Sequence, residues 1–253
     1  MSHLSGKFVW FEVMTHDIDK AKAFYTQMFG WEVEEMSMEG GFVYSAFRNG
    51  GANFGGLFPM DKSMKDVPPH WLGYLSVDDV DETAKKIESA EGMIAVEPMT
   101  VPGVGRMALA LDPEGARFSV FAGQQPDPPD DQDTEIGGIC WCELWSNLAD
   151  AALKFYCGVF GYDFEEFPTE GEGKYYVLKT GDKTRAGIMQ SRTPGVPSNW
   201  VQYVSVENCD NAADKARSLG GKVLFDPVEM RGVGRFTVIE DPEGAVIGII
   251  QQT

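Results

Sequence analysis

The chain is written twice. Trp10-Phe11-Glu12, Phe24-Tyr25 and Phe29-Gly30 return as Trp141-Cys142-Glu143, Phe155-Tyr156 and Phe160-Gly161, each 131 positions later. Tyr44 and Gly56 return at the same displacement as Tyr175 and Gly187. Further on, Trp71, Tyr74, Ser76 and Val77 recur as Trp200, Tyr203, Ser205 and Val206, now 129 positions later. Gly103-Val104-Gly105-Arg106 and Asp112-Pro113-Glu114-Gly115-Ala116 recur as Gly232-Val233-Gly234-Arg235 and Asp241-Pro242-Glu243-Gly244-Ala245. The change in displacement places two extra residues of the first copy between positions 60 and 69, in a Pro- and Asp-bearing stretch that reads as a loop, where an insertion is tolerated. Such a duplication restricts the fold severely, because each half must adopt the same architecture. Between the copies, the run from Gln125 to Asp133 holds three prolines, four aspartates and no large apolar residue. It predicts an extended, self-repelling linker. The expected organisation is a first module at 1–124, a linker at 125–136 and a second module at 137–253.

Within each copy apolar, β-prone runs alternate with stretches of helical spacing. In the first copy it predicts a strand over 7–14 and a helix from Asp17 to Phe29, with Asp17 as N-cap and Gly30 as its stop. Three short strands near 31–37, 42–48 and 53–58 follow, split by glycine turns. The order then repeats: a strand at 71–77, a helix at about 79–90, and strands near 93–97, 106–111 and 117–122. The second copy reads the same way, from a strand at 138–145 and a helix at 149–160 to a strand at 200–206 and a helix at about 209–219. The expectation is an α+β protein of four βαβββ repeats, two per module, with curved mixed sheets and helices outside.

Composition excludes several classes of function. At 43% hydrophobic residues the chain is too apolar for disorder. With 21 basic against 39 acidic residues, a formal net charge of −18, it is a poor partner for nucleic acid or an anionic membrane. It contains no run of 18 apolar residues, and its start lacks the layout of a secretory signal. Four cysteines make no disulfide framework, so a cytoplasmic protein is expected.

The succession Trp-Phe-Glu-Val, Asp-x-x-x-Ala-x-x-Phe-Tyr-x-x-x-Phe-Gly-Trp, Val-Asp-Asp-Val and Leu-Asp-Pro-Glu-Gly-Ala resembles the vicinal oxygen chelate superfamily. That group includes glyoxalase I, bleomycin-resistance proteins, extradiol dioxygenases and fosfomycin-resistance enzymes. The resemblance runs over nearly the whole chain, one module per copy, and is closest to two-module bacterial glyoxalase-like members. It implies the fold, whereas the fold alone does not imply a chemistry.

Members with metal chemistry hold a divalent ion with His, Glu or Gln from the first, fourth, fifth and eighth strands of a module. Carried over by the resemblance, those positions are Trp10, Gly56, Leu72 and Ser119 in the first copy and Trp141, Gly187, Val201 and Gly248 in the second. None is a ligand for a divalent ion. The expectation is therefore no metal and no cofactor. The alternative is a metal-dependent lyase of the glyoxalase I kind, or a dioxygenase, with an off-register site using His70, Glu12 or their copies. His70 otherwise reads as a strand-start residue after Pro68-Pro69, His16 as a capping or solvated residue at the helix entrance, and His3 as part of a loose terminus. Cys140 and Cys142 read as core.

Alternation puts Trp10, Glu12 and Met14 on one face of the first strand, and Trp141, Glu143 and Trp145 on the same face of its copy. On the fold that the resemblance implies, this face lines a cleft, joined by Tyr74 and Tyr203 from the fifth strands. A carboxylate on an inward face needs a partner, and the repeated Arg106 and Arg235 are the expected ones. The candidate ligand-binding residues are thus Trp10, Glu12, Tyr74, Arg106, Trp141, Glu143, Trp145, Tyr203 and Arg235. The expected function is binding of a small aromatic or cationic molecule in an aromatic-lined cleft, with Glu as acceptor or general base in a metal-free acid–base alternative. A monomer suffices, since two modules in one chain can make the paired arrangement, and a dimer stays open.

Overall fold

A computed structural model of the chain describes residues 3–130, 135–168, 173–191 and 195–253. The first copy runs β1 (Phe8–Thr15), α1 (Ile18–Phe29), β2 (Glu32–Ser37), β3 (Val43–Asn49), β4 (Ala52–Pro59), β5 (His70–Ser76), α2 (Val80–Ser89), β6 (Met93–Val101), β7 (Gly105–Leu111) and β8 (Arg117–Gly123). The second runs β9 (Ile139–Ser146), α3 (Ala149–Phe160), β10 (Asp163–Phe167), β11 (Tyr175–Thr180), β12 (Lys183–Gln190), β13 (Asn199–Ser205), α4 (Cys209–Ser218), β14 (Lys222–Val223), β15 (Val228–Met230), β16 (Gly234–Glu240) and β17 (Val246–Gln252). These are the tandem βαβββ units expected from the sequence. Among the described residues no helix is long and apolar enough to cross a membrane.

Each copy builds one mixed sheet. The strand order is β2-β3-β4-β1-β5-β8-β7-β6 in the first and β10-β11-β12-β9-β13-β17-β16-β14 in the second, with β15 on β16. Pairs β1/β4, β9/β12, β5/β8 and β13/β17 are parallel, and the hairpins between them are antiparallel. The caps follow local chemistry. Asp17 accepts from the Lys20 amide at 3.0 Å, and Asp79 and Asn208 do the same at the starts of α2 and α4. Gly30 and Gly161 end α1 and α3 in the left-handed region that glycine adopts without strain.

The compact units do not coincide with the copies. One unit gathers Met1–Trp10, Gly73–Gln132 and Trp141–Trp200; the other gathers Phe11–Leu72, Asp133–Cys140 and Val201–Thr253. Each therefore joins half of one copy to the non-equivalent half of the other. In the first unit α2 packs on α3, and in the second α1 packs on α4.

The repeated motifs tie each unit together. In the second unit the fully buried Tyr25 donates to Asp241 Oδ2 at 2.9 Å and accepts from Trp71 Nε1 at 2.9 Å. In the first unit Tyr156 donates to Asp112 Oδ2 at 3.1 Å and accepts from Trp200 Nε1 at 2.9 Å. The other oxygen of each aspartate organises its own Asp-Pro-Glu-Gly-Ala turn: Asp112 Oδ1 takes the amides of Glu114 and Ala116, and Asp241 Oδ1 those of Glu243 and Ala245. The glutamates of these turns reach further, Glu243 to the Thr15 hydroxyl and the Asp17 amide, and Glu114 to the Ser146 hydroxyl. Burial holds Asp112 and Asp241 above the usual carboxylate range and pushes both tyrosines up. Indole, phenol and carboxylate thus form a buried chain in which each polar atom is satisfied, as burial demands. Trp31 and its counterpart Tyr162 add a second tie, donating to the backbone carbonyls of Gly137 at 2.7 Å and Gly6 at 2.5 Å.

The described part of the linker is anchored, which corrects the expectation of a self-repelling strand. Asp127 accepts from the Leu4 amide and from the Ser76 hydroxyl, and His3 stands 3.8 Å from it with little exposure, so His3 is not loose, contrary to expectation. Asp130 is gripped through both oxygens by the nearly buried Arg185 and lies 3.1 Å from Lys7, whose ammonium also bonds the carbonyls of Pro128 and Pro129. Among the described residues Asp127 and Asp130 have each found a donor, so repulsion does not decide the path there. Asp131, Gln132 and Asp133 lie outside the described residues.

Candidate functional site

In the second unit Glu12 is 8% exposed, and the Tyr44 hydroxyl donates to its Oε1 at 2.7 Å. The strand register explains the meeting: Glu12 stands beside Gly56 in the parallel β1/β4 pair, and Ala46 stands beside Gly56 in the antiparallel β3/β4 pair, which puts Tyr44 on the same face. Gly56 makes room for the ring. A Cβ there would fall on the Tyr44 hydroxyl, with Cζ 2.5 Å away and the Ser45 carbonyl oxygen 2.7 Å away. Met14 and Phe58, opposite each other in register, extend this face, as does Met36 beside Tyr44, and Phe42 meets Phe58 with ring centroids 6.0 Å apart.

The copy repeats the device in the first unit. Glu143, also 8% exposed, stands beside Gly187. A Cβ on Gly187 would fall on the Tyr175 hydroxyl, with Cζ 2.7 Å and Trp141 Nε1 3.2 Å away. Tyr175 is held well above the usual phenol range by burial and by the neighbouring Glu143, to which it is hydrogen-bonded. Two indoles complete the cluster: Trp141 Nε1 donates to the Tyr175 oxygen at 3.0 Å, and Trp145 Nε1 donates to Glu143 Oε1 at 2.7 Å. A carboxylate removed from water is tolerated because charge-assisted hydrogen bonds replace its hydration.

The other expected residues divide. Trp10 is half-buried on β1. Tyr74 is buried, edge-on to Phe121, and Tyr203 is buried with its ring over Gly248, whose added Cβ would meet Cε1 at 2.5 Å. The expected partnership of the arginines with the glutamates is corrected. Arg106 binds Asp81 through Nε at 2.5 Å and Nη2 at 2.7 Å, and Arg235 binds Asp210 at 2.6 and 2.8 Å. Asp81 and Asp210 sit in the first turns of α2 and α4, where the helix dipole favours them and a forked guanidinium from the neighbouring strand can reach both oxygens. The partner that strand alternation missed is the tyrosine, Tyr44 or Tyr175, from the third strand of each copy. Its signal was present in the sequence, since Tyr44 and Gly56 both recur at the displacement of Glu12.

The metal question turns on donor chemistry. Gly56, Gly187 and Gly248 lie beneath tyrosine rings, and the Ser119 hydroxyl is engaged with the Ala108 carbonyl at 2.9 Å. With Trp10, Trp141, Leu72 and Val201 they supply no set of oxygen and imidazole donors, so the residues at these positions do not fit the ion held by metal-dependent members. His70 opens β5 with Nδ1 2.8 Å from the Pro68 carbonyl oxygen, and His16 Nε2 lies 3.0 Å from that of Val67. Among the described residues no three of His, Cys, Asp and Glu converge on a point where a metal could sit. All four cysteines are free thiols, and burial pushes Cys140 up to about 12, where it is inert as a nucleophile.

Comparison with known proteins places this geometry. The model of the glyoxalase/bleomycin resistance protein/dioxygenase superfamily matches residues 7–120 and again 138–249. CFP32 of Mycobacterium tuberculosis, which bears the provisional name glyoxylase, is 33% identical over 244 residues, covering 96% of this chain and 93% of that one. The anthracycline biosynthesis protein DnrV of Streptomyces peucetius is 28% identical over 259 residues, covering 97% and 93%. Among solved structures, the Mn(II)-bound glyoxalase from Novosphingobium aromaticivorans superposes with a TM-score of 0.66 at 20% identity, over 99% of this chain and 83% of that one. The catechol dioxygenase BphC gives 0.64 at 15% identity, over 99% and 88%. At these identities the structural likeness establishes the fold alone.

Proposed function

The chain belongs to the glyoxalase/bleomycin resistance protein/dioxygenase superfamily through both of its modules, and from that premise we propose that it binds a small aromatic or cationic molecule without recruiting a metal ion. The observation that carries this reading is the repeated carboxylate–tyrosine pair laid over a glycine on the face where relatives with metal chemistry place ligands. A tyrosine ring and hydroxyl fill the space of the fourth-strand side chain, while the surrounding Trp, Phe and Met side chains offer flat apolar area. In this arrangement the ligand's ring rests on the aromatic wall and its polar end meets the glutamate. The acidic excess of the chain draws cations toward it.

The name of one relative supports the same class of ligand. An anthracycline biosynthesis protein handles, by its name, a pathway of fused aromatic rings, and the match spans nearly the full length of both chains. On this reading the partner is a small molecule rather than nucleic acid or membrane, and one chain is sufficient for binding. The test is a thermal-shift and calorimetric screen of chelator-stripped protein against aromatic amines, phenols and fused-ring quinones. Binding that survives stripping, and that weakens in Glu12→Gln or Glu143→Gln, supports the proposal. Stoichiometric transition metal in protein purified without a histidine tag, lost in His70→Ala, would replace it with the metal-dependent reading.

A further inference from the structure

We propose that the open edge of β10 is a docking site for an extended, cationic peptide segment of another protein, which adds to the second sheet as a further strand.

A strand at the end of a sheet turns the N–H and C=O of every second residue away from its neighbour, and folded chains blunt such edges. The two sheets end on β2, β6, β10 and the side formed by β14 and β15. β6 carries Pro98 and shifts register against β7 twice. The β14 and β15 side is broken into strands of two and three residues. On β2 the chain engages its own carboxylates: Glu35 binds the Lys22 ammonium and the Ser45 hydroxyl, and Glu34 lies 3.7 Å from Arg48 Nε and accepts from Asn53 at 3.2 Å. β10 differs from all three. It reads Asp-Phe-Glu-Glu-Phe, holds no proline, and pairs with β11 without a register shift from Asp163 opposite Lys179 to Phe167 opposite Tyr175. Among the described residues β11 is its one ladder partner.

The side chains say what such an edge accepts. Phe164 is 50% exposed and Phe167 52%. Phe164 stands across from Leu178 and meets Tyr176 edge-on at 5.7 Å, whereas Phe167 stands across from Tyr175 on the opposite face. An added strand therefore finds an aromatic surface on each face for its alternate side chains, while its backbone completes the ladder. Charge selects the occupant. Lys179 binds Glu165 at 2.7 Å, but Asp163 and Glu166, both exposed, meet no cation at ion-pair distance among the described residues. A second copy of this chain is a poor fit: antiparallel pairing about Glu165 sets that carboxylate against itself, parallel pairing in register does the same to all three acids, and each chain brings a net charge of −18. A peptide bearing lysine or arginine satisfies the backbone edge and both unpaired acids together.

The experiment uses the full chain and a fluorescein-labelled peptide of alternating lysine and valine. Two controls accompany it: the same peptide N-methylated at every second amide, which keeps the charge and blocks the ladder, and a version with glutamate in place of lysine. Fluorescence anisotropy is expected to show saturable binding of the first peptide, weakened about tenfold or more by N-methylation and lost with glutamate. Asp163→Lys with Glu166→Lys should weaken binding about tenfold or more, while Glu32→Lys with Glu35→Lys at the matching positions of β2 leaves it within about twofold. Far-UV circular dichroism and the melting temperature separate a lost site from a lost fold. Hydrogen exchange on the wild type needs no variant: bound peptide should slow the amides of Asp163–Phe167 and leave those of Glu32–Ser37 unchanged. Absence of binding, equal binding of the N-methylated peptide, indifference to the β10 charge reversal, or protection elsewhere than β10 overturns the proposal. So does a dimer of the chain alone that protects the β10 amides, since the edge would then belong to a second copy.

Discussion

Replacing Gly56 by alanine tests the tyrosine-over-glycine device with a single methyl group. The backbone at Gly56 does not lie in the left-handed region, so alanine meets no conformational penalty and the cost is steric. The new Cβ would stand on the Tyr44 hydroxyl, 2.5 Å from its Cζ and 2.7 Å from the Ser45 carbonyl oxygen, where normal contact is about 3.4 Å or more. Relieving this moves the ring by about an ångström, and a 2.7 Å hydrogen bond to Glu12 does not survive such a shift. Overpacking of this kind costs about 1–3 kcal/mol, and a lost hydrogen bond to a charged group about 1.5–3 kcal/mol. The variant should therefore lose about 3–5 kcal/mol, equivalent to a fall of roughly 10 °C in melting temperature for a chain of this size. Differential scanning fluorimetry and urea melts read the effect directly. Tyr44→Ala combined with Gly56→Ala should recover most of the loss specific to Gly56→Ala, giving a coupling of at least about 1 kcal/mol in a double-mutant cycle. A single variant within about 0.5 kcal/mol of wild type, or a crystal structure of it with Tyr44 unmoved, would refute the reasoning.

Four further outcomes follow from the same geometry. Tyr25→Phe and Tyr156→Phe each leave a buried indole N–H and a buried carboxylate short of a partner and should cost about 3 kcal/mol apiece, read in urea melts. Arg185 holds Asp130 down at about 2, below its ordinary 3.8, so this pair stabilises the fold above the ordinary carboxylate range and the benefit is lost as pH falls toward 2; Asp130→Asn should destabilise at pH 7 and match wild type near pH 2. Asp112 and Asp241 behave in the opposite sense: burial raises them, so their protonated forms favour the folded state and stability declines as pH rises through their folded-state values, which carboxyl-carbon NMR titration should place above 3.8. Arg106→Ala and Arg235→Ala should leave the urea midpoint nearly unchanged and ligand affinity within about threefold, because each arginine serves an exposed helix start where solvent screens the pair.

Much of the fold was legible because its signals are local. The Asp17 cap, the Gly30 stop and the apolar, β-prone run along Phe8–Thr15 each depend on a few neighbouring residues, and the duplication allowed every element to be read twice. The parity that placed Glu12 and Glu143 inward is equally local, and both are buried. What escaped is long-range. Tyr25 meets Asp241 across 216 positions, and nothing in the spacing of either motif shows that the partner lies in the other copy. The arginines were misassigned because charge complementarity alone does not choose between carboxylates: Asp81 was reachable at a helix start, where geometry and dipole both favour it, whereas Glu12 lay on an inward face already served by a phenol. The linker misled in the same way, since its composition repels itself only until Lys7 and Arg185 approach it.

Calorimetric titration of chelator-stripped protein with the aromatic amines, phenols and fused-ring quinones of the screen, before and after returning Mn(II), Fe(II) or Zn(II), bears most directly on the central claim. The account predicts an affinity unchanged by stripping or by added metal, and weakened in Glu12→Gln or Glu143→Gln. Binding that appears only when a stoichiometric divalent ion is restored would contradict it.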